Sequence, residues 1–158
     1  MKKLIPLIFV FLLAQNCITA YGANNPVKKQ TRTDICKDNY RTLFKGEALQ
    51  TSGDDPEMMA ILQKYIFGEV FTVGDLDLKT RELLTVTSLS VQQTLPQLKS
   101  HINAALNAGV TPIEIREAIY QLAPFIGFPK TLNAIGVMNE VFKERGIKTP
   151  LKPAATVK

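Results

Sequence analysis

Histidine is almost missing from this 158-residue chain, and His101 is the only one. A single imidazole argues against an all-protein zinc site, because catalytic zinc usually takes three protein ligands. No metal or cofactor is expected. Cysteine is equally scarce, with only Cys17 and Cys36. Cys17 lies in an N-terminal segment that reads as removable, so an intramolecular disulfide is excluded. Cys36 has helical spacing with Tyr40, Leu43 and Phe44, which reads as a small hydrophobe on an apolar face. Alternating strand patterns bounded by turns are also absent. No basic cluster of the kind a nucleic-acid footprint needs is present, so nucleic acid is not an expected partner.

The N-terminus, MKKLIPLIFVFLLAQNCITAYGAN, has Lys2 and Lys3, an apolar run over 4–14, then small and polar residues. That is the three-part pattern of a secretory signal peptide. The run is far short of the roughly 20 apolar residues that span a bilayer. Cleavage is expected after Gly22, giving a periplasmic or secreted protein with no membrane role after cleavage. The mature chain then has 136 residues and a net charge of +3 in place of +5, since two lysines and no acids leave. That length suits one domain with a moderate core.

Residues 23–32 read as a disordered lead-in, 33–146 as one helical domain, and 147–158, with its prolines, as a disordered tail. Thr33 or Asp34 is placed to cap a helix running to about Ala48. Asp55-Pro56 starts a second helix, with proline at its first position, ending near Gly68. Residues 69–77 form a connector that flexes at Gly74. Asp75 or Asp77 caps a central helix over 78–91. Thr94-Leu95-Pro96-Gln97 and Thr111-Pro112-Ile113-Glu114 both have the form of a capping box, opening helices that end at Gly109 and at Gly127-Phe128-Pro129. A last helix ends at Gly146. The expectation is an all-α, compact bundle of about six helices with short connections.

One residue breaks the apolar pattern of the central helix. Leu78, Glu82, Val86 and Leu89 recur at intervals of four, four and three, which puts Glu82 inside the apolar stripe. A buried carboxylate costs several kcal/mol unless paired or protonated. In the next helix, His101 sits at the edge of a face made by Leu98, Ile102, Ala105 and Leu106. Counted back from the turn, Glu82 and His101 lie about 16 and about 10 Å along their helices. A histidine and a carboxylate together suit proton transfer near neutral pH, where imidazole titrates, and Arg81 offers a bidentate fork for a substrate carboxylate. The plainer alternative is a Glu82–Arg81 pair bridging helices and a histidine held in a core or interface. Apolar faces carrying Ile115, Ile119, Leu132 and Met138 suggest more apolar surface than a small monomer hides, and hence a homo-oligomer.

YIFGEVFTVGDLDLKTRELLTV at 65–86, LKSHINAALNAGVTPIEIREAI at 98–119 and GFPKTLNAI at 127–135 carry a resemblance that runs over 56–142. Here the chain resembles the carboxymuconolactone decarboxylase family. The resemblance implies an all-helical, alkylhydroperoxidase-like subunit forming homotrimers or homohexamers, with sites near subunit contacts. It also implies cofactor-free loss of carbon dioxide from a small carboxylated lactone. Glu82 and His101 match the family's glutamate and histidine, Arg81 its basic neighbour and Glu69 a recurring acid. Those matches imply His101 as proton donor, Glu82 as its orienting group, and Arg81 and Glu69 as substrate-binding. The alternative is a non-catalytic or small-ligand-binding oligomer on the same scaffold. The redox branch, resembling alkylhydroperoxidases and peroxiredoxins, needs a Cys-x-x-Cys pair where this chain has Thr94 and Gln97, so that activity is disfavoured.

Overall fold

The computed structural model describes residues 29–151, so the signal-peptide reading of 1–22 lies outside the described residues. Thr31 and Asp34 set the start of helix α1 (Arg32–Phe44). The Thr31 side chain accepts from the Asp34 N–H, and the Asp34 carboxylate accepts from the Thr31 N–H at 3.0 Å. The cap is therefore earlier than Thr33, and 29–32 belong to the domain instead of to a lead-in. The helix also stops before Ala48, because Lys45 turns left-handed at φ 57.

α2 (Pro56–Gln63) does not end at a loop. It passes into a π-helical turn, Lys64–Glu69, and a 3₁₀ turn, Val70–Thr72. This turn lies tight against α1: a Cβ on Gly68 would stand 2.9 Å from the Arg32 carbonyl oxygen and 3.2 Å from the Cys36 Cβ. Glycine is therefore the residue that allows the approach. Asn39 Nδ2 donates to the Phe67 carbonyl at 2.8 Å and fastens the same turn.

α3 (Leu78–Gln92) is capped by Asp77, whose carboxylate accepts from the Thr80 N–H at 2.8 Å. Gln93 then turns left-handed at φ 60, and α4 (Leu95–Asn107) follows after Thr94. The capping box expected at Thr94 does not form. Thr31 and Thr111 cap with ψ of 160 and 154, but Thr94 has ψ 71, which does not aim its hydroxyl at the third helical N–H. Its Oγ1 is buried without a protein partner.

α5 (Pro112–Tyr120) has its capping box, Thr111 with Glu114. Glu114 also takes Lys79 of α3 at 2.8 Å, which ties the two helices. The Lys79 ammonium, then the Thr111 donors, hold the Glu114 carboxyl down at about 2 from an ordinary 4.5. A carboxyl depressed in the folded state adds stability above its unfolded value, lost as pH falls through its folded value. Glu114→Gln is therefore expected to lower the melting temperature at pH 7, and the gap between the two proteins should close as pH falls from about 4.5 to about 2. Thermal melts across that range check it; a gap independent of pH would contradict it.

α6 (Ala123–Glu144) is broken at Gly127 (φ 77, ψ 162), just before Pro129. The six α-helices, with no strand among the described residues, make an all-α compact fold. Its core has two parts, which meet at α4. Leu98, Ile102 and Ala105 join Val86, Ile115, Ile119, Met138, Val141 and Phe142. Ala104 joins Cys36, Leu43, Ala48 and Phe67 on the other side. The α3–α4 pair is thus the wall on which α1, α5 and α6 pack, while the π-helical turn after α2 packs on α1.

Two expectations change here. Ile115, Ile119 and Met138 are core residues, and of the four named for the surface only Leu132 is exposed. Other exposed apolar residues include Met58, Ile61 and Tyr65 around α2, and Phe125 and Phe128 on either side of the α6 break. Residues 147–151 are also part of the fold, since Ile147 and Leu151 pack against the core. Among the described residues no helix is long and apolar enough to cross a membrane.

Candidate functional site

The stripe that holds Val86 in the core carries Glu82 one turn earlier into the α3–α4 contact, where it is completely buried. His101 comes to it from α4, one turn before Ala105 and three residues before Ala104. His101 Nδ1 lies 2.8 Å from Glu82 Oε2. The stagger of about 6 Å expected along two antiparallel helices is thus spanned by the two side chains. With the carboxylate ionised, Nδ1–H donates to Oε2, and Nε2 is the ring nitrogen left outside the pair. The imidazole side chain is 18% exposed, and no atom of the described residues hydrogen-bonds to Nε2. Glu82 Oε1 is buried and unpartnered. The pair therefore has one open end, at the imidazole edge.

An aromatic wall fixes the ring. Phe44 meets His101 edge-on, with centroids 5.5 Å apart and planes at 87°. Phe67 packs against Phe44 at 5.5 Å and against Phe71 at 5.3 Å. Asn107 Nδ2 donates to the Leu43 carbonyl at 2.6 Å, which holds the end of α1, and so Phe44, against α4. Sequence reasoning missed this wall. Phe44 was visible only as an apolar position of its own helix, and no local pattern links position 44 to position 101.

Arg81 is not part of the open end. Neighbours on a helix point in different directions, and its guanidinium turns back onto the connector. Nε donates to the Leu76 carbonyl at 2.9 Å, Nη1 to that of Val70 at 3.3 Å and Nη2 to that of Val73 at 2.6 Å. Its carbon sits 5.4 Å from the Phe71 ring centroid. Neither edge of the fork is free for a substrate carboxylate, nor does Arg81 pair with Glu82. Its structural work is to hold residues 70–77 in place. Arg81→Met is expected to cost about 2–4 kcal/mol, the scale of several charge-assisted bonds to buried carbonyls, with KM for any substrate unchanged. Denaturant unfolding with steady-state kinetics checks this; a raised KM at unchanged stability would return Arg81 to the substrate.

Glu69 is also placed elsewhere. Its carboxylate pairs with Arg32 at 3.1 Å, with both side chains more than half exposed. That pair sits at the end of the π-helical turn and neither member hydrogen-bonds to His101 or Glu82. Cys36 is fully buried, its thiol donates to the Gln63 carbonyl at 3.3 Å, and burial pushes its pKa up against the pull of Lys64 and Lys37. A thiol held that way is a core group. Among the described residues no three His, Cys, Asp or Glu side chains are grouped to hold a metal ion. A groove of about 770 Å³ runs between α5, α6 and residues 147–151, but His101 does not line it.

The comparisons with known proteins cover the segment that carries this geometry. The model of the carboxymuconolactone decarboxylase family matches residues 56–140, which include both Glu82 and His101. The chain is 38% identical over 91 residues to an uncharacterized 15.0 kDa protein of Paracoccus denitrificans, spanning 56% of this chain and 68% of that one. It is 33% identical over 86 residues to 4-carboxymuconolactone decarboxylase of Acinetobacter baylyi, spanning 54% of this chain and 64% of the relative. It is 32% identical over 84 residues to a nitrosuccinic acid decarboxylase of Metarhizium robertsii, spanning 53% and 59%. The match thus covers less than two thirds of either decarboxylase. With the family match over more than half of its length, the chain belongs to the carboxymuconolactone decarboxylase family.

Proposed function

We propose that this protein is a cofactor-free, decarboxylase-type enzyme acting on a small carboxylated lactone or a similar acid, with His101 and Glu82 at its site. The observation that carries the reading is the 2.8 Å Nδ1–Oε2 contact, made by a buried carboxylate to an imidazole whose Nε2 edge is unengaged. Two relatives being named decarboxylases supports the reaction class. In the step proposed, the substrate's C–C bond to its carboxylate breaks and carbon dioxide leaves. The electron pair stays as a dienolate, and the doubly protonated His101 gives the Nε2 proton to carbon. Glu82 holds the ring by Nδ1 and balances its charge. Water restores the proton.

Export through the signal peptide and assembly as a homotrimer or homohexamer belong to the same proposal. Exposed Met58, Ile61 and Tyr65, with Phe125 and Phe128, support assembly, since such apolar area is more than a small monomer leaves open. With Arg81 tied to the connector, α3 offers no guanidinium to a substrate carboxylate, and a neighbouring subunit is the proposed source of that charge. The second reading, a non-catalytic or ligand-binding oligomer, is favoured by one observation: the 770 Å³ groove is not at His101. A thermal-shift screen of carboxylated lactones and aromatic-pathway acids, run beside His101→Ala, separates the two. Stabilisation lost in the variant supports the enzyme. Binding of nothing by either form supports the scaffold.

A further inference from the structure

The groove between α5, the second half of α6 and residues 147–151 has a chemistry of its own. Its accessible apolar surface comes from the partly exposed Ile135 and Ile147, over the buried Met138 and Phe142, and Tyr120 stands at its side. No Asp or Glu lines it, whereas Arg116, Lys143 and Lys148 do. The acids of this part of α6 are turned away, since Glu140 and Glu144 both hold Lys99 of α4, at 2.7 and 2.8 Å. Lys143 and Lys148 make no ion pair among the described residues.

Arg116 is the unusual member. Its side chain is only 16% exposed, and beyond the Tyr120 ring, whose centroid lies 5.9 Å from the guanidinium carbon, its partners are poor. Nη1 reaches the Leu151 carbonyl at a long 3.4 Å, Nη2 lies 3.8 Å from a half-exposed Glu117 carboxylate, and Nε is buried with no partner among the described residues. A largely desolvated cation is costly unless its donors are met. In this fold the unmet donor belongs to a residue lining an apolar groove whose volume is within the usual range of about 300–1,000 Å³ for small-molecule sites.

We propose that this groove binds an amphipathic organic anion, a single carboxylate on an apolar body, with Arg116 taking the carboxylate and the partly exposed Ile135 and Ile147 the body. Lys143 and Lys148 add attraction at the mouth. The site is separate from His101 and does not depend on the decarboxylase reading.

Isothermal titration of the full chain with decanoate, and with 1-decanol as the neutral molecule of equal length, tests it. Decanoate should bind at least about tenfold more tightly than the alcohol, the scale of one charge-assisted bond. Arg116→Gln should remove that preference. Asn139→Trp, at an exposed lining position where added bulk fills the groove without touching the core, should abolish binding of both. His101→Ala should leave decanoate binding unchanged. Equal binding of acid and alcohol, decanoate affinity unaffected by Asn139→Trp, or loss of binding in His101→Ala would each overturn the assignment.

Discussion

His101→Ala is expected to lower carbon dioxide release from a carboxylated lactone by about 10²–10⁴-fold, the usual contribution of one positioned acid–base group. The imidazole sits at the rim of the α4 face, 18% exposed, and in neither core cluster, so helix content should be kept. The melting temperature should fall, because Glu82 is left buried without its partner. Unchanged helix content and an unchanged oligomer, with turnover lost, are the predicted combination. Turnover equal to that of the parent protein would remove His101 from the chemistry and, with it, the proposed step. Loss of both turnover and helix content would mark the histidine as structural.

Glu82 should separate position from bulk. Glu82→Ala removes a completely buried side chain between α3 and α4 and leaves the imidazole Nδ1 without its acceptor. The expected cost is about 2–4 kcal/mol, by analogy with other large-to-small changes in cores. Glu82→Gln keeps the volume and an oxygen acceptor for Nδ1–H, so stability should stay close to that of the parent. Its turnover should still fall, by about 10–10²-fold, less than the full acid–base contribution, because a neutral amide does not balance a protonated ring. The pH profile of kcat should move with it. A Glu82→Gln variant with parental turnover and profile would show that the carboxylate only fills space.

The helices were legible in the sequence because their ends carry local chemistry. Asp77, Thr111 with Glu114, Pro56 at the first turn of α2 and the glycines at 109 and 146 each act within one turn of themselves, although the Asp55 side chain makes no cap hydrogen bond. Thr94 shows the limit: the same letters fail to cap where the backbone leaving Gln93 sets ψ at 71. The pair at the site was legible in part. Glu82 betrayed itself as a charge within an apolar stripe, and His101 as the single imidazole on the next helix, but their contact depends on how α3 and α4 pack. Arg81 was misread because spacing tells which face a residue leaves from and not where a long side chain ends. Its partners, the carbonyls of Val70, Val73 and Leu76, belong to an irregular segment with no periodic signal. The aromatic wall and the Arg116 groove bring together residues far apart in the chain, so neither had a local signature.

The possession of one histidine makes the central claim directly measurable. Protein labelled with ¹³C at histidine Cε1 gives a single imidazole signal, that of His101. Titration with carboxylated lactones and related acids is predicted to shift that signal saturably, at the concentrations that stabilise the protein. The shift should be altered in Glu82→Gln. A signal that stays still while the same acids bind or turn over would contradict the claim that the His101–Glu82 pair is the reacting site.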